Sequence, residues 1–419
     1  MLLKYKEIMS YEFFIAKRYF RAKQRTGFIS LITFISIAGV TIGVMTLILV
    51  LSTLNGFEDE IRLKLINADG HIRIHKSNAG IIDTPDSIMQ IIHNIPGVVG
   101  TTPTIFEESV IESDKKQNPC LIHAVDLQTI DQVSDLRKNI ILGELDFSYK
   151  SINGEKMPGI LIGRYLAEAL FTLSIGDVIT LITLPKEGGL FAQPRVSNFY
   201  IAGIVSFGYY EFDLYRAYIS LEMAQKLFNI PHGVTWIQIK CDDYEAAPLI
   251  AHNIEQATGS KYEAITWREL NKSLFSAMQI EKWGAFFILC LIIMIAAFNI
   301  ISSLTMVVME KVREIGILKS MGATKNSILK IFMFEGIIIG IIGTILGNIL
   351  GYSLGYSQIK FKLITLDPDI YVISALPIKM YFIDFIAISG ISFLLCFLAS
   401  LYPAYKAAGL YPVEAIRYE

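Results

Sequence analysis

Glu310–Lys330, EKVREIGILKSMGATKNSILK, is a charged stretch lying between two long apolar runs, Trp283–Met309 and Ile331–Leu354. Each run exceeds the roughly 20 residues that an α-helix needs to cross a bilayer, so the charged stretch is a loop at a membrane face. Lys311, Arg313, Lys319, Lys325 and Lys330 outnumber Glu310 and Glu314. A surplus of Lys and Arg in a short loop marks the cytoplasmic side. Val312, Ile315, Leu318 and Met321 recur at helical spacing, Gly322 supplies a stop, and Thr324 is placed to cap the next span. The spacing predicts a short amphipathic helix held between two spans. Its apolar stripe suits either a cytosolic partner or lipid headgroups, and the pattern alone leaves the two open.

Composition agrees with a membrane protein that carries a sizeable polar part. The chain has 419 residues, 53% of them hydrophobic, and a net charge of -2, with a mean hydropathy of +0.48. Its basic residues cluster beside the apolar runs, where topology explains them, so nothing calls for a nucleic-acid partner. Seven basic residues against Glu7 and Glu12 in residues 1–27 place the N-terminus in the cytoplasm. Within that segment, aromatic and basic residues interleave from Tyr11 to Phe20 as in an interfacial helix. Phe28–Leu54 is then an uncharged first span, too long for a signal peptide, with Gly39 and Gly43 spaced for close helix approach.

Residues 55–282 change character and form a polar block on the far side of the membrane. Strand-like runs (His71–His75, Val178–Leu184, Asn198–Val205, Thr235–Lys240) alternate with helical ones (Asp86–Asn94, Leu221–Phe228). Turn signals stand at Ile95–Gly97, Pro158–Gly159 and Gly188–Gly189. About 220 residues suffice for one or two α/β domains with their own cores. Cys120 and Cys241 both fall in this block, and a pairing there would need a Cα approach that sequence does not supply. The loop Pro185–Arg195, between two of the strands, carries Leu190 and Phe191 at its middle. Those two either grip a partner or fold back onto their own domain.

Trp283–Met309 is the second span, with Asn299, Ser302 and Ser303 placed for hydrogen bonding between helices. The third span, residues 331–356, carries six glycines at spacings of three and four from Gly336 to Gly355, and Glu335 near its start is placed to snorkel or to pair with a lysine. A short outside loop (357–380), a fourth span (381–402) and a cytoplasmic tail (403–419) close the count with both termini inside. The fold class is therefore a four-span α-helical membrane protein with a large α/β domain inserted between helices 1 and 2. No dinucleotide fingerprint, P-loop, zinc spacing or nucleophile elbow appears, which points away from an enzyme.

Glu310–Ala323 resembles the cytoplasmic coupling segment of FtsX/MacB-type permeases of ABC transporters. Ser52–Glu58 (STLNGFE), Ala296–Ser303 (AAFNIISS) and the tail Leu401–Ala408 with Pro412–Glu419 resemble more narrowly the LolC/LolE family, the membrane subunits of lipoprotein-releasing complexes. The resemblance implies a MacB-like periplasmic domain and an inner-membrane location. It implies a separate LolD-like ATPase that uses ATP and Mg, with no cofactor on this chain. A second LolC/LolE-like subunit or a second copy, a LolA-like periplasmic carrier and lipoprotein substrates complete the expected set. Under this reading Glu310, Val312, Arg313, Glu314, Ile315, Leu318 and Gly322 couple to the ATPase. Pro185, Gly188, Gly189, Leu190, Phe191, Ala192, Gln193, Pro194 and Arg195 form a carrier-binding hook. Met45, Leu49, Phe298 and Ile301 line the lipoprotein cavity by their place on the first two spans. The alternatives are FtsX-like signalling to a periplasmic hydrolase and MacB-like efflux.

Overall fold

A computed structural model describes residues 11–21, 27–78, 80–114, 116–152, 154–172, 174–183, 193–259, 261–366 and 375–411. The chain divides into two compact units. One comprises Met1–Glu58, Ala277–Leu366 and Ser374–Glu419, and the other Asp59–Ser276 with Asp367–Ile373.

In chain order, helices α1 (Tyr11–Arg21) and α2 (Gly27–Asp69) come first. The second unit continues with β1 (Ile72–Lys76), α3 (Pro85–His93), β2 (Val98–Thr104), β3 (Phe106–Glu112), β4 (Gln117–Val125) and α4 (Ile130–Val133). Next are β5 (Ile140–Gly143), β6 (Tyr149–Ile152), β7 (Glu155–Gly163), α5 (Arg164–Ala169), β8 (Val178–Thr183) and β9 (Arg195–Val205). Then follow α6 (Tyr210–Tyr215), β10 (Arg216–Ser220), α7 (Leu221–Phe228), β11 (Trp236–Cys241), α8 (Ala247–Thr258), β12 (Tyr262–Thr266) and α9 (Trp267–Leu270). Helices α10 (Lys272–Glu310), α11 (Val312–Ser320), α12 (Lys325–Phe361) and α13 (Phe382–Gly409) end the series.

Among the described residues, the second unit is a mixed α/β domain with two sheets. A four-stranded sheet has the order β12-β1-β11-β2, and an eight-stranded one the order β5-β9-β8-β3-β4-β10-β7-β6. A further β7–β9 pairing closes the larger sheet into a circuit. Its β4–β10 and β7–β9 pairs are parallel and the rest of the circuit is antiparallel. Closure leaves the circuit strands few free edges, which suits a domain working in water. The core follows the strand alternation, with Ile72, Ile74, Ile122, Ile160, Ile162, Phe199, Ile201 and Ile237 all buried. Ser220 caps α7 on the Met223 N–H, and Thr266 with Glu269 forms a reciprocal capping box on α9.

The Pro158–Gly159 pair is not a turn. It lies within β7, where Pro158 faces Tyr149 of β6 and Gly159 faces Tyr200 of β9. A Cβ at Gly159 would stand 2.2 Å from the Asp146 carbonyl oxygen, so glycine serves there as room for a neighbouring backbone. Cys120 and Cys241 are both buried and free, on strands of different sheets.

One buried charge cluster had no sequence signal. Asp69, the last residue of α2, accepts from both terminal nitrogens of Arg216 on β10, at 2.6 and 2.5 Å, and pairs with Arg73 on β1 at 2.5 Å. Its own carbonyl accepts from Gln238 on β11 at 3.1 Å. One carboxylate thus ties a helix end to both sheets. Burial pushes the Asp69 carboxyl up, but the Arg216 and Arg73 guanidiniums outweigh it and hold the group well below the usual carboxylate range.

Among the described residues, four helices are long and apolar enough to cross a membrane. The helix of the first span runs on past the expected end at Leu54 to Asp69, because Glu58, Asp59, Glu60 and Arg62 end the apolar stretch without breaking the helix. The glycines of α12 divide between two neighbours. Cβ atoms on Gly343, Gly347 and Gly351 would meet Val40, Val44 and Ile48 of α2, while Gly336 and Gly340 face Ser400 and Cys396 of α13. Hydroxyls and amides continue the α12–α13 seam, with Thr344 Oγ1 3.1 Å from Ser392 Oγ and Asn348 Nδ2 donating to Ser389 Oγ at 2.9 Å. Gly39 and Gly43 face Ala296 and Ile293 of α10.

Several expected polar roles differ. Asn299 is exposed and receives a Ser36 hydroxyl on its backbone carbonyl at 3.4 Å, and Ser302 donates to the Phe298 carbonyl of its own helix. Ser303 is buried with no hydrogen-bond partner among the described residues. Glu335 does not snorkel. It is 3% exposed, because its position on α12 faces the packed side.

Candidate functional site

The expected short helix exists as α11, bounded by Gly322 in the left-handed region and followed by Thr324, whose hydroxyl accepts the Ser327 N–H at the start of α12. Its apolar stripe is used internally. Ile315 is 1% exposed and belongs to a cluster with Ala16, Val307, Val308, Ile328, Ile331, Phe332, Ala404 and Ala407, and Leu318 packs against the same cluster. Helices α1, α10, α12 and α13 therefore all contribute to the seat of α11. Val312 is half-buried, while Glu310, Arg313, Glu314 and Gly322 are exposed.

The face left open is mixed. Ile317 and Met321 are 47% and 80% exposed beside Arg313 and Glu314, and Lys311 donates to Glu314 at 2.6 Å. Of the expected stripe, Met321 lies on this face, while Ile315 and Leu318 are turned away from it. The reason is that a helix over a bundle end must first bury a side to be held there, so Ile315 and Leu318 go inward.

In the sequence Lys319 shows only as one of the basic charges of a membrane-face loop. In the structure its Nζ donates to the carbonyls of Ala408 at 2.7 Å and Leu410 at 2.5 Å, closing the C-terminus of α13. Burial, with Lys325 nearby, lowers its pKa. Cations favour helix C-termini, and a lysine 89 residues before the carbonyl it meets leaves no local pattern. On the other side, Ser327 Oγ donates to Glu12 Oε1 at 3.3 Å, and Phe13 meets Phe334 edge-on at 5.7 Å, so α1 is docked on α12. Helix α11 and the start of α12 are thus held by groups from both ends of the sequence.

The four residues expected to line a lipoprotein cavity are dispersed in exposure. Met45 and Leu49 on α2 are half-buried, Ile301 on α10 packs into the bundle core, and Phe298 is 59% exposed. Phe298 continues an apolar face of α10 with Phe287, Leu291 and Ile295, all more than half exposed.

Of the loop residues, Pro185, Gly188, Gly189, Leu190, Phe191 and Ala192 lie outside the described residues. The flanking strands β8 and β9 pair antiparallel with Thr183 opposite Arg195, so the loop is the connection of a hairpin. Gln193 and Pro194 are exposed, and the Arg195 guanidinium donates to the Lys226 and Leu227 carbonyls at 2.6 and 3.3 Å, which fixes the base of the loop to the end of α7.

Residues 33–257 match the MacB-like periplasmic core domain family, and residues 286–412 the FtsX-like permease C-terminal family. With its four apolar helices, the chain is thus an inner-membrane protein of the FtsX-like permease class carrying a periplasmic domain. Similar curated proteins include the lipoprotein-releasing system transmembrane protein LolC of Xylella fastidiosa, 33% identical over 97% of this chain and 98% of that protein. LolC of Neisseria meningitidis is 34% identical over 98% of this chain and 100% of that protein. LolE of Haemophilus influenzae is 28% identical over 97% and 99%. The chain belongs to the LolC/LolE family of lipoprotein-releasing system transmembrane proteins.

Proposed function

We propose that this chain is the membrane permease subunit of an ATP-driven complex that extracts outer-membrane-directed lipoproteins from the inner membrane and passes them to a periplasmic carrier. Family membership over nearly the whole length supports the assignment. The observation that carries the mechanism is α11, seated by Ile315 and Leu318 and presenting Arg313, Glu314, Ile317 and Met321 outward. A separate LolD-like ATPase supplies the ATP and Mg chemistry and docks on this face from the cytoplasm, where both termini lie. Because α1, α10, α12 and α13 share the seat, a push on α11 reaches several spans together.

The load is acyl chain. Each CH₂ withdrawn from lipid costs about 0.8 kcal/mol, so a multiply acylated anchor does not leave unaided. The apolar face of α10 around Phe298, with Met45 and Leu49 of α2, receives the chains in a cavity completed by a second subunit, either a LolC/LolE paralogue or another copy. The loop Pro185–Arg195 holds a LolA-like carrier on the periplasmic side.

A photoreactive amino acid at Phe191, with a second at Met321, tests this in living cells. Capture of a small soluble lipoprotein carrier at Phe191 and of an ATPase at Met321 is expected. Capture of a cell-wall hydrolase by the periplasmic domain, with no carrier, would favour the signalling reading. Glu314→Lys, which reverses charge on the open face, is expected to leave ATP hydrolysis running while release drops.

A further inference from the structure

The motif Ser52–Glu58 has no role in the mechanism above, yet its residues make the most specific contacts of the first span. Asn55 is 1% exposed, and its Nδ2 donates at 2.6 Å to Asp384 Oδ2, on the first turn of α13. The Ser52 carbonyl accepts from the Lys379 N–H at 2.9 Å. Next to these two ties stands Gly56. A Cβ there would lie 2.5 Å from the Pro377 carbonyl carbon and oxygen and 2.8 Å from Ile378 N. Those are backbone atoms and cannot swing aside as a side-chain tip would. Glycine inside a helix costs roughly 0.5–1 kcal/mol against alanine. Here it lets a second backbone lie directly on α2.

That second backbone is itself fastened to α12. Gln358, 5% exposed near the end of α12, donates to the Ile364 and Leu376 carbonyls at 3.0 and 3.2 Å and accepts from the Ile364 N–H at 2.8 Å. The Leu376 N–H also donates to the Ile364 carbonyl at 3.1 Å. The contacts of α10 with α2 are of another kind. They are apolar at Gly39 and Gly43, with a long hydrogen bond of 3.4 Å from Ser36 and a long, partly solvated ion pair of 3.9 Å between Lys282 and Glu58. Apolar contacts in lipid slide more cheaply than a charge-assisted hydrogen bond breaks.

We propose that Asn55, Gly56 and Asp384 form a clamp that fastens the outer end of the first span to α12 and α13. Beyond the shared seat of α11, these three helices then move as one body during the cycle, and α10 is the helix they move against. Asn55 and Asp384 are positioning residues, acting through the placement of α2. The inference rests on the release reading for its cargo readout, so a second readout independent of cargo is included.

The experiment uses the full complex in lipid nanodiscs. Asn55→Asp sets two carboxylates face to face and is expected to lower lipoprotein released per ATP about tenfold, the scale of one charge-assisted hydrogen bond. Combining it with Asp384→Asn returns an amide donor opposite a carboxylate and is expected to restore release to within about threefold. Deuterium exchange at the Lys379 N–H should be equally slow with and without a non-hydrolysable ATP analogue, and faster in Asn55→Asp in both states. Normal release by Asn55→Asp, or no repair in the double variant, overturns the clamp. So does nucleotide-dependent opening at Lys379 in the unaltered chain. A wild-type complex that releases no lipoprotein would sink the release reading, while exchange at Lys379 would still report on the clamp.

Discussion

The two units hold themselves together by opposite chemistry. In the periplasmic domain the junction of helix and sheets is a buried ion cluster, Asp69 with Arg216 and Arg73, backed by Gln238 and by Phe212 and Phe106 under the two guanidiniums. In the membrane bundle α2 and α12 meet where Gly343, Gly347 and Gly351 receive Val40, Val44 and Ile48. The solvent explains the difference. In water, burying apolar side chains drives the domain together, and a buried cluster in which one carboxylate bridges two guanidiniums is tolerated because it fixes orientation. In lipid, apolar burial gains nothing, so association depends on close backbone approach and short hydroxyl or amide bonds.

The contrast breaks or sharpens on four measurements. Asp69→Ala leaves two buried guanidiniums without their carboxylate and should cost about 3–5 kcal/mol, read as thermal unfolding of the chain in nanodiscs. A loss below 1 kcal/mol would mean that the cluster does not hold the junction. Acid should act on the same domain. Burial pushes His123 down to about 3 and, with Lys240 nearby, His71 down to about 4, and His71 Nδ1 accepts the Cys241 N–H at 3.0 Å. Between about pH 6.5 and 4 the unfolded chain binds protons that the folded domain refuses, so stability falls as pH falls. For His123 the slope approaches about 1.4 kcal/mol per pH unit, and His123→Gln should flatten the profile. Asp69 adds to this only below about pH 4, where protonation of the unfolded carboxyl begins to favour unfolding.

In the bundle, Gly347→Leu places a side chain where Val44 Cβ and the Thr41 carbonyl stand 2.7 and 2.8 Å from the first carbon. Overpacking there should cost about 1–3 kcal/mol and be insensitive to pH between 4 and 7. A pH-dependent loss would blur the distinction between the units. Smallest is Lys319→Met, which frees the α13 carbonyls and should cost about 1 kcal/mol of local stability, seen as faster amide exchange over Val312–Ser320.

Helix α7 was legible to the residue, Leu221–Phe228, because an amphipathic pattern and a serine cap act locally. The strand readings around β1, β8, β9 and β11 held to within a few residues for the same reason. Pro158–Gly159 misled because turn residues also occur where two backbones cross closely, and only the fold shows Asp146 against Gly159. The apolar stripe of α11 divided, with Ile315 and Leu318 inward and Met321 open, since a period gives a face but not its neighbour.

By itself the sequence determined four spans, a mixed α/β insert, a charged helix between the second and third spans, and the likeness to the LolC/LolE family. These are one-dimensional properties: apolar run length, charge bias, local periodicity and short motifs. Only the tertiary structure decided which face of α11 remains open and that the α12 glycines serve two neighbours. It also decided that Asn55 meets Asp384, and that one aspartate at the end of α2 holds two sheets. Those facts depend on pairs of residues up to 329 positions apart, and no local preference in a chain encodes which distant backbone will arrive beside it.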